Sequence, residues 1–113
     1  MQEITFIGNL TGDPELRYTN TGKSVCNFSV AVNRSRKGPD GNAVVDYFDV
    51  AAWNHYAENC SHYLHKGSKV FVRGELQPTI YDGKHGPRLR LYVQSSAIEF
   101  LTPREGGRVM LTR

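Results

Sequence analysis

The chain has little of what covalent or catalytic devices are built from. It holds only two cysteines, Cys26 and Cys60, in 113 residues. Two are too few for a disulfide scaffold. Cys26 sits in the apolar stretch VCNFSVAV, where a free thiol behaves as a small buried hydrophobe. Cys60 falls in an expected helix, and both are read as structural. No apolar run approaches the roughly 20 residues of a membrane span. The opening MQEITFIGNL has no basic segment ahead of an apolar one. No export signal and a cytoplasmic location are therefore expected. There is no GxSxG, no phosphate-cradling loop and no HExxH. Asp46 and Asp49 are three apart on an expected strand, so they face opposite sides and cannot work as a carboxylate pair. These absences point to a binder that is not an enzyme and calls for no cofactor.

A metal site is disfavoured on spacing. His55, Cys60, His62 and His65 fall within eleven residues. His62 and His65 can share a helix face, but Cys60 lies two residues before His62 and points elsewhere. Structural zinc sites favour closed sets with tight paired spacing, which this cluster lacks.

What is present is a modest basic excess, unevenly placed. The net charge is +3. Up to His65 there are five basic side chains against seven acidic; from Lys66 onward there are nine against four. A basic second half suggests a face that contacts phosphates, against the plainer reading of an ordinary solvated surface.

Hydrophobic patterning gives one domain of strands. EITFIGNL, residues 3–10, reads as a strand running into the TGDP turn, with 15–19 a short extended continuation. Ser24–Arg34 alternates cleanly and is the best half-buried strand. SRKGPDGN is a surface loop. Ala43–Trp53 is the third strand. Over Asn54–Lys66 the period changes to helical, with Gly67 placed to end the helix. Ser68–Leu76 is the fourth strand, QPTIYDGKHGP a hairpin arm with a turn expected at Asp82-Gly83, and Leu89–Leu101 the fifth. Residues 1–102 form the domain, and 103–113 a short, flexible basic tail. Strand count alone supports a small all-β barrel with one helix. Five strands with a helix between the third and fourth is also what an oligonucleotide-binding (OB) barrel requires.

A single-strand binder needs cations that track phosphates and flat aromatic faces that stack on unpaired bases. The aromatic candidates are Tyr47, Phe48, Trp53, Tyr81 and Tyr92. Tyr47, Asp49, Ala51 and Trp53 share one face of the third strand, which looks wet; Phe48, Val50 and Ala52 are the core side. Trp53, the only tryptophan, also suits a core or interface position. Tyr81, on the exposed arm, also suits a packed hairpin or a subunit contact. The candidate cations are Arg34, Arg36 and Lys37 in the 34–42 loop, Lys66, Lys69 and Arg73 around the fourth strand, and Lys84, Arg88 and Arg90 along the arm. Arg88 and Arg90 are two apart and point to one face. Each lysine taken alone reads equally as a surface charge.

Two long segments carry a resemblance. IGNLTGDPELRYTNTGKSVCNFSVAVNR and YFDVAAWNHYAENCSHYLHKGSKVFVRGEL are similar, in spacing and order, to the bacterial and phage single-stranded DNA-binding protein family over residues 3–101. The resemblance implies a five-stranded OB fold, assembled as a homotetramer with DNA wrapped around it. It implies protection of single strands in replication, recombination and repair, at the cytoplasmic nucleoid. Family stacking positions align with Tyr47, Trp53 and Tyr81, and the family's Arg-Tyr pair with Arg17 and Tyr18. There are departures. The family's loop tryptophan matches Arg36. A family arginine matches Asp49. The arm's basic run is QPTI here, with Lys84, Arg88 and Arg90 nearby. The family's acidic tip, which recruits other proteins, has no counterpart in residues 103–113. Readings that remain beside this one are a dimeric primosomal protein of the same fold, an RNA-binding OB module, and an OB protein-interaction module that binds no nucleic acid.

Overall fold

The computed structural model describes residues 2–102 and 111–112. In chain order these form β1 (Glu3–Leu10), β2 (Glu15–Tyr18), β3 (Ser24–Lys37), β4 (Ala43–Trp53), α1 (His55–Tyr63), β5 (Lys69–Gly83), β6 (Gly86–Phe100) and β7 (Leu111–Thr112). The sheet runs β1-β5-β6-β4-β3-β2, and β1 also pairs with β3 through Asn9↔Ala31 and Leu10↔Val30. Five strands thus close into a ring, with β2 laid along β3 and β7 along β6. Every ladder is antiparallel except β4–β6, a parallel seam of three pairs from Asp49↔Tyr92 to Ala51↔Gln94. The five ring strands and the helix between β4 and β5 follow the expected OB order.

Alternation decides which side chains enter the ring. Cys26, Phe28 and Val30 of β3 point inward, as do Phe48, Val50 and Ala52 of β4. They meet Phe6, Val70, Val72, Val93, Ile98 and Phe100 in one core, where the Phe6 and Phe48 rings stack at 4.4 Å. The helix adds Ala57 and Cys60. Closure needs a close approach of β1 to β3. Gly8 permits it, because a Cβ there would strike the Ala31 carbonyl oxygen and lie 2.7 Å from Val30 Cγ1. Gly74 sits at the β5–β6 register shift, where a Cβ would strike the Gln94 carbonyl.

Several expected boundaries move. β3 runs on to Lys37, which pairs with Ala43, so Arg34, Arg36 and Lys37 lie on strand and the loop shrinks to 38–42. Charged side chains made the segment look like loop, but the backbone ladder does not depend on them. The helix spans nine residues rather than reaching Lys66. Gly67, at φ 90°, shapes the turn into β5 instead of capping the helix. The arm's turn falls at Lys84-His85, two residues beyond the Asp-Gly signal, because Gly86 supplies the positive φ (112°). The loose tail expected from 103 onward lies outside the described residues apart from Leu111 and Thr112, whose backbone pairs with Ile98 and Glu99.

Candidate nucleic-acid interface

Cross-strand partners share a face, so the register fixes what stands beside what. One row runs Arg17–Val25–Trp53 across β2, β3 and β4. Another runs Ser29–Asp49–Tyr92–Gln77 across β3, β4, β6 and β5. On the arm, Tyr81 stands opposite Arg88 and Thr79 opposite Arg90. Alternation then places Tyr47, Trp53, Tyr81, Arg17, Arg88 and Arg90 on one continuous outer face.

The aromatic candidates separate on this face. Tyr47 is 60% exposed and Tyr81 51%. They line a cleft of about 400 Å³ together with Asp49, Leu89, Arg90 and Leu91. Trp53 is half-buried, and its Nε1–H donates to Gln94 Oε1 at 2.8 Å. Tyr92 is half-buried under Arg90, whose guanidinium carbon lies 5.4 Å from the ring centre. Phe48 is in the core and leaves the list of platforms. The expectation of a wet face along 47, 49, 51 and 53 is corrected at Ala51. That residue is fully buried, and its carbonyl accepts the Ser95 hydroxyl at 2.8 Å. A side chain this small cannot rise above its larger neighbours on the curved sheet.

The cations divide by partner. Arg17 holds Glu15 through Nε and Nη2 at 2.9 and 2.7 Å. Arg34 forks onto Asp46 at 2.9 and 3.0 Å. That hydrogen bonding holds the Asp46 carboxyl below the usual range and raises the Arg34 guanidinium. Arg90 Nε reaches Asp49 Oδ2 at 2.7 Å. Asp46 and Asp49 do face opposite sides of β4, each toward its own arginine. Arg34, Arg36 and Lys37 line a second cleft, of about 630 Å³, beside Gly38 and Pro39. Lys84 occupies the arm's turn.

Two candidates stay apart from the tyrosines. Lys66 lies in the turn after α1, its backbone N–H on Asp13 Oδ1 at 2.8 Å. Arg73 faces β1, with Glu3 3.5 Å from its Nε. Gln94 and the carboxylate of Glu15 belong to this surface although the sequence reading does not select them for it, while alternation along β4 already places Asp49 there and Asp46 faces the other side. Gln94 gives no local cue, since its partner is 41 residues away. The Glu15-Arg17 spacing did offer one, because i and i+2 on a strand share a face.

Elsewhere, Cys60 is buried while His62 is exposed, so they do not share a helix face. Burial pushes the Cys26 thiol up to about 11 and the Cys60 thiol further in the same direction, Cys26 adding to the latter. Among the described residues no helix is long and apolar enough to cross a membrane.

Known proteins resemble this chain closely. The model of the "Single-strand binding protein family" matches residues 1–101. A "Single-stranded DNA-binding protein" of Bacillus cereus is 40% identical over 108 residues, covering 95% of this chain and 64% of its own length. "Single-stranded DNA-binding protein A" of Bacillus subtilis is 38% identical, with 95% and 63% covered. The chain therefore spans just under two thirds of these relatives. Among solved structures, the small single-stranded DNA-binding protein from Streptomyces coelicolor superposes with a TM-score of 0.75 at 24% identity, over 87% of this chain and 92% of that one. That likeness shows the shared OB fold. With the closed five-strand ring, the interposed helix and a family match running from residue 1 to 101, the chain belongs to the single-strand binding protein family.

Proposed function

We propose that this chain binds single-stranded DNA with tolerance for sequence, and protects it during replication, recombination and repair. The observation that carries the reading is the continuous outer face that Trp53, Tyr47 and Tyr81 share with Arg17, Arg88 and Arg90. Flat rings accept any base, and cations track the backbone, so single strands are chosen over duplex. Tyr47 and Tyr81 are the open platforms, and Trp53 offers a ring held in place by Gln94. Arg36, Lys37, Lys84 and Arg88 are the phosphate contacts of first resort. Arg17, Arg34 and Arg90 contribute once their carboxylates yield. Lys66 and Arg73 stand off this face and serve only a strand that wraps further round the barrel.

A homotetramer in the cytoplasm, at the nucleoid, is the assembly that goes with this reading. The exposed Ile7, paired across from Phe71 on the outer side of β1 and β5, is an apolar patch suited to a second copy. Sedimentation separates a tetramer from the dimer of a primosomal protein.

The test is a titration of Trp53 fluorescence with oligo(dT), beside a duplex control, at two salt concentrations. The expected result is quenching by the single strand alone, weakened by salt. Absence of binding in every assay would leave an OB protein-interaction module in its place.

A further inference from the structure

Arg90 lines the Tyr47–Tyr81 cleft, and it is already occupied. Its Nε lies 2.7 Å from Asp49 Oδ2, and both side chains remain part-exposed, at 54% and 38%. A phosphate that enters this cleft meets a neutral pair. To reach Arg90 it must displace Asp49, and the freed carboxylate then gathers a cation of its own. That uptake cancels the counterion released from the nucleic acid, so Arg90 gains little from salt-driven attraction. Stacking on Tyr47 and Tyr81 is not reduced by the same argument, because it involves no ion. Asp49 also repels phosphates directly, which turns bases rather than backbone toward β4. The backbone is left to cations with no carboxylate partner among the described residues, Arg88 and Lys84 on the arm.

We propose that Asp49 is a selectivity residue: by holding Arg90 in the cleft it admits strands that can stack and denies the site to polyanions that offer charge alone. This rests on the single-strand binding reading above, and it adds what excludes competing ligands, such as duplex or a sulfated polysaccharide. The carboxylate at 49 is thus a working part of the face.

The experiment uses the full chain, wild type and Asp49→Asn, with Glu58→Gln as a control of equal charge change on α1. Binding of oligo(dT), a duplex of equal length and heparin is measured across a salt series. In Asp49→Asn, heparin and duplex are expected to bind roughly tenfold tighter, as one charge-assisted contact is released to them. Oligo(dT) should gain less, and its log–log salt slope should steepen by about 0.7. Glu58→Gln should do none of this. Equal gains for all three ligands, an unchanged slope, or the same effect from Glu58→Gln would overturn the proposal. Should Asp49→Asn lose its fold, judged by melting, Asp49→Ser takes its place. Failure of wild type to bind oligo(dT) would instead sink the single-strand reading. The heparin arm would still report on Asp49: tighter binding in the variant supports its role in excluding bare polyanions, and no change refutes it.

Discussion

Trp53 on β4 donates its indole N–H to the side-chain oxygen of Gln94 on β6 at 2.8 Å, tying the ring across the parallel seam. The ring is therefore oriented before any ligand arrives. Trp53→Ala is expected to weaken oligo(dT) binding by about 1–3 kcal/mol, the usual value of one base–aromatic stack. Gln94→Ala should cost less affinity, shift the Trp53 emission to the red and lower the melting temperature slightly. Fluorescence titration and melting read both. Unchanged affinity in a folded Trp53→Ala protein would remove Trp53 from the platforms.

Arg88 and Arg90 share a face but not an environment. Arg90 is engaged by Asp49, while Arg88 has no carboxylate partner among the described residues. Arg88→Ala should reduce the log–log salt slope for a single strand by about 0.7. Arg90→Ala should reduce it by clearly less. A salt series on the two single variants checks this, and equal reductions would mean that Asp49 leaves Arg90 fully available.

Gly8→Ala should loosen the ring where β1 meets β3. The added methyl meets the Ala31 carbonyl and Val30 in a packed wall, and overpacking of this kind costs about 1–3 kcal/mol. In a domain near this size each kcal/mol lowers the melting temperature by roughly 4–8 °C. Calorimetry should show the loss while binding of the folded protein below the transition is retained. A wild-type melting temperature would mean that β1 can shift without opening the ring.

The buried thiols set an alkaline limit. Burial raises Cys26 from 9.0 to about 11, so the folded chain holds that proton more tightly than the unfolded chain does. The stabilisation is complete below pH 9 and is lost as pH rises from 9 toward 11. Cys60 moves in the same direction. Melting temperatures from pH 8 to 11 should fall less steeply in Cys26→Ala than in wild type. Parallel curves would assign the decline to other groups.

The strands were legible wherever one face is buried. Val25 to Val32 alternates because Cys26, Phe28 and Val30 enter the core and Asn27 and Ser29 do not. Legibility fails beyond the barrel, where β3 and the arm continue as two-stranded ribbon. Arg34, Arg36 and Lys37 look like loop residues because no core there imposes a pattern. The Asp82-Gly83 turn misled for a related reason: two glycines compete nearby, and Gly86 wins through the geometry of the whole β5–β6 ladder. The aromatic face was readable from the period of two on β4. The Arg90–Asp49 pair was not, since the two meet through a parallel seam that only the closed ring creates.

That seam has a consequence for how the chain comes into being. The β4–β6 pairs cannot form until Tyr92 to Gln94 have left the ribosome, and β1 waits for Lys69 to Glu75 before it finds its main partner. Three of the ring's five walls, β1–β5, β4–β6 and β1–β3, join strands that do not follow one another in the chain, which slows folding relative to helical domains of equal size. During synthesis, β3 and β4 are a hairpin with one bare side. The outer face is whole only when β6 completes the circle between β5 and β4.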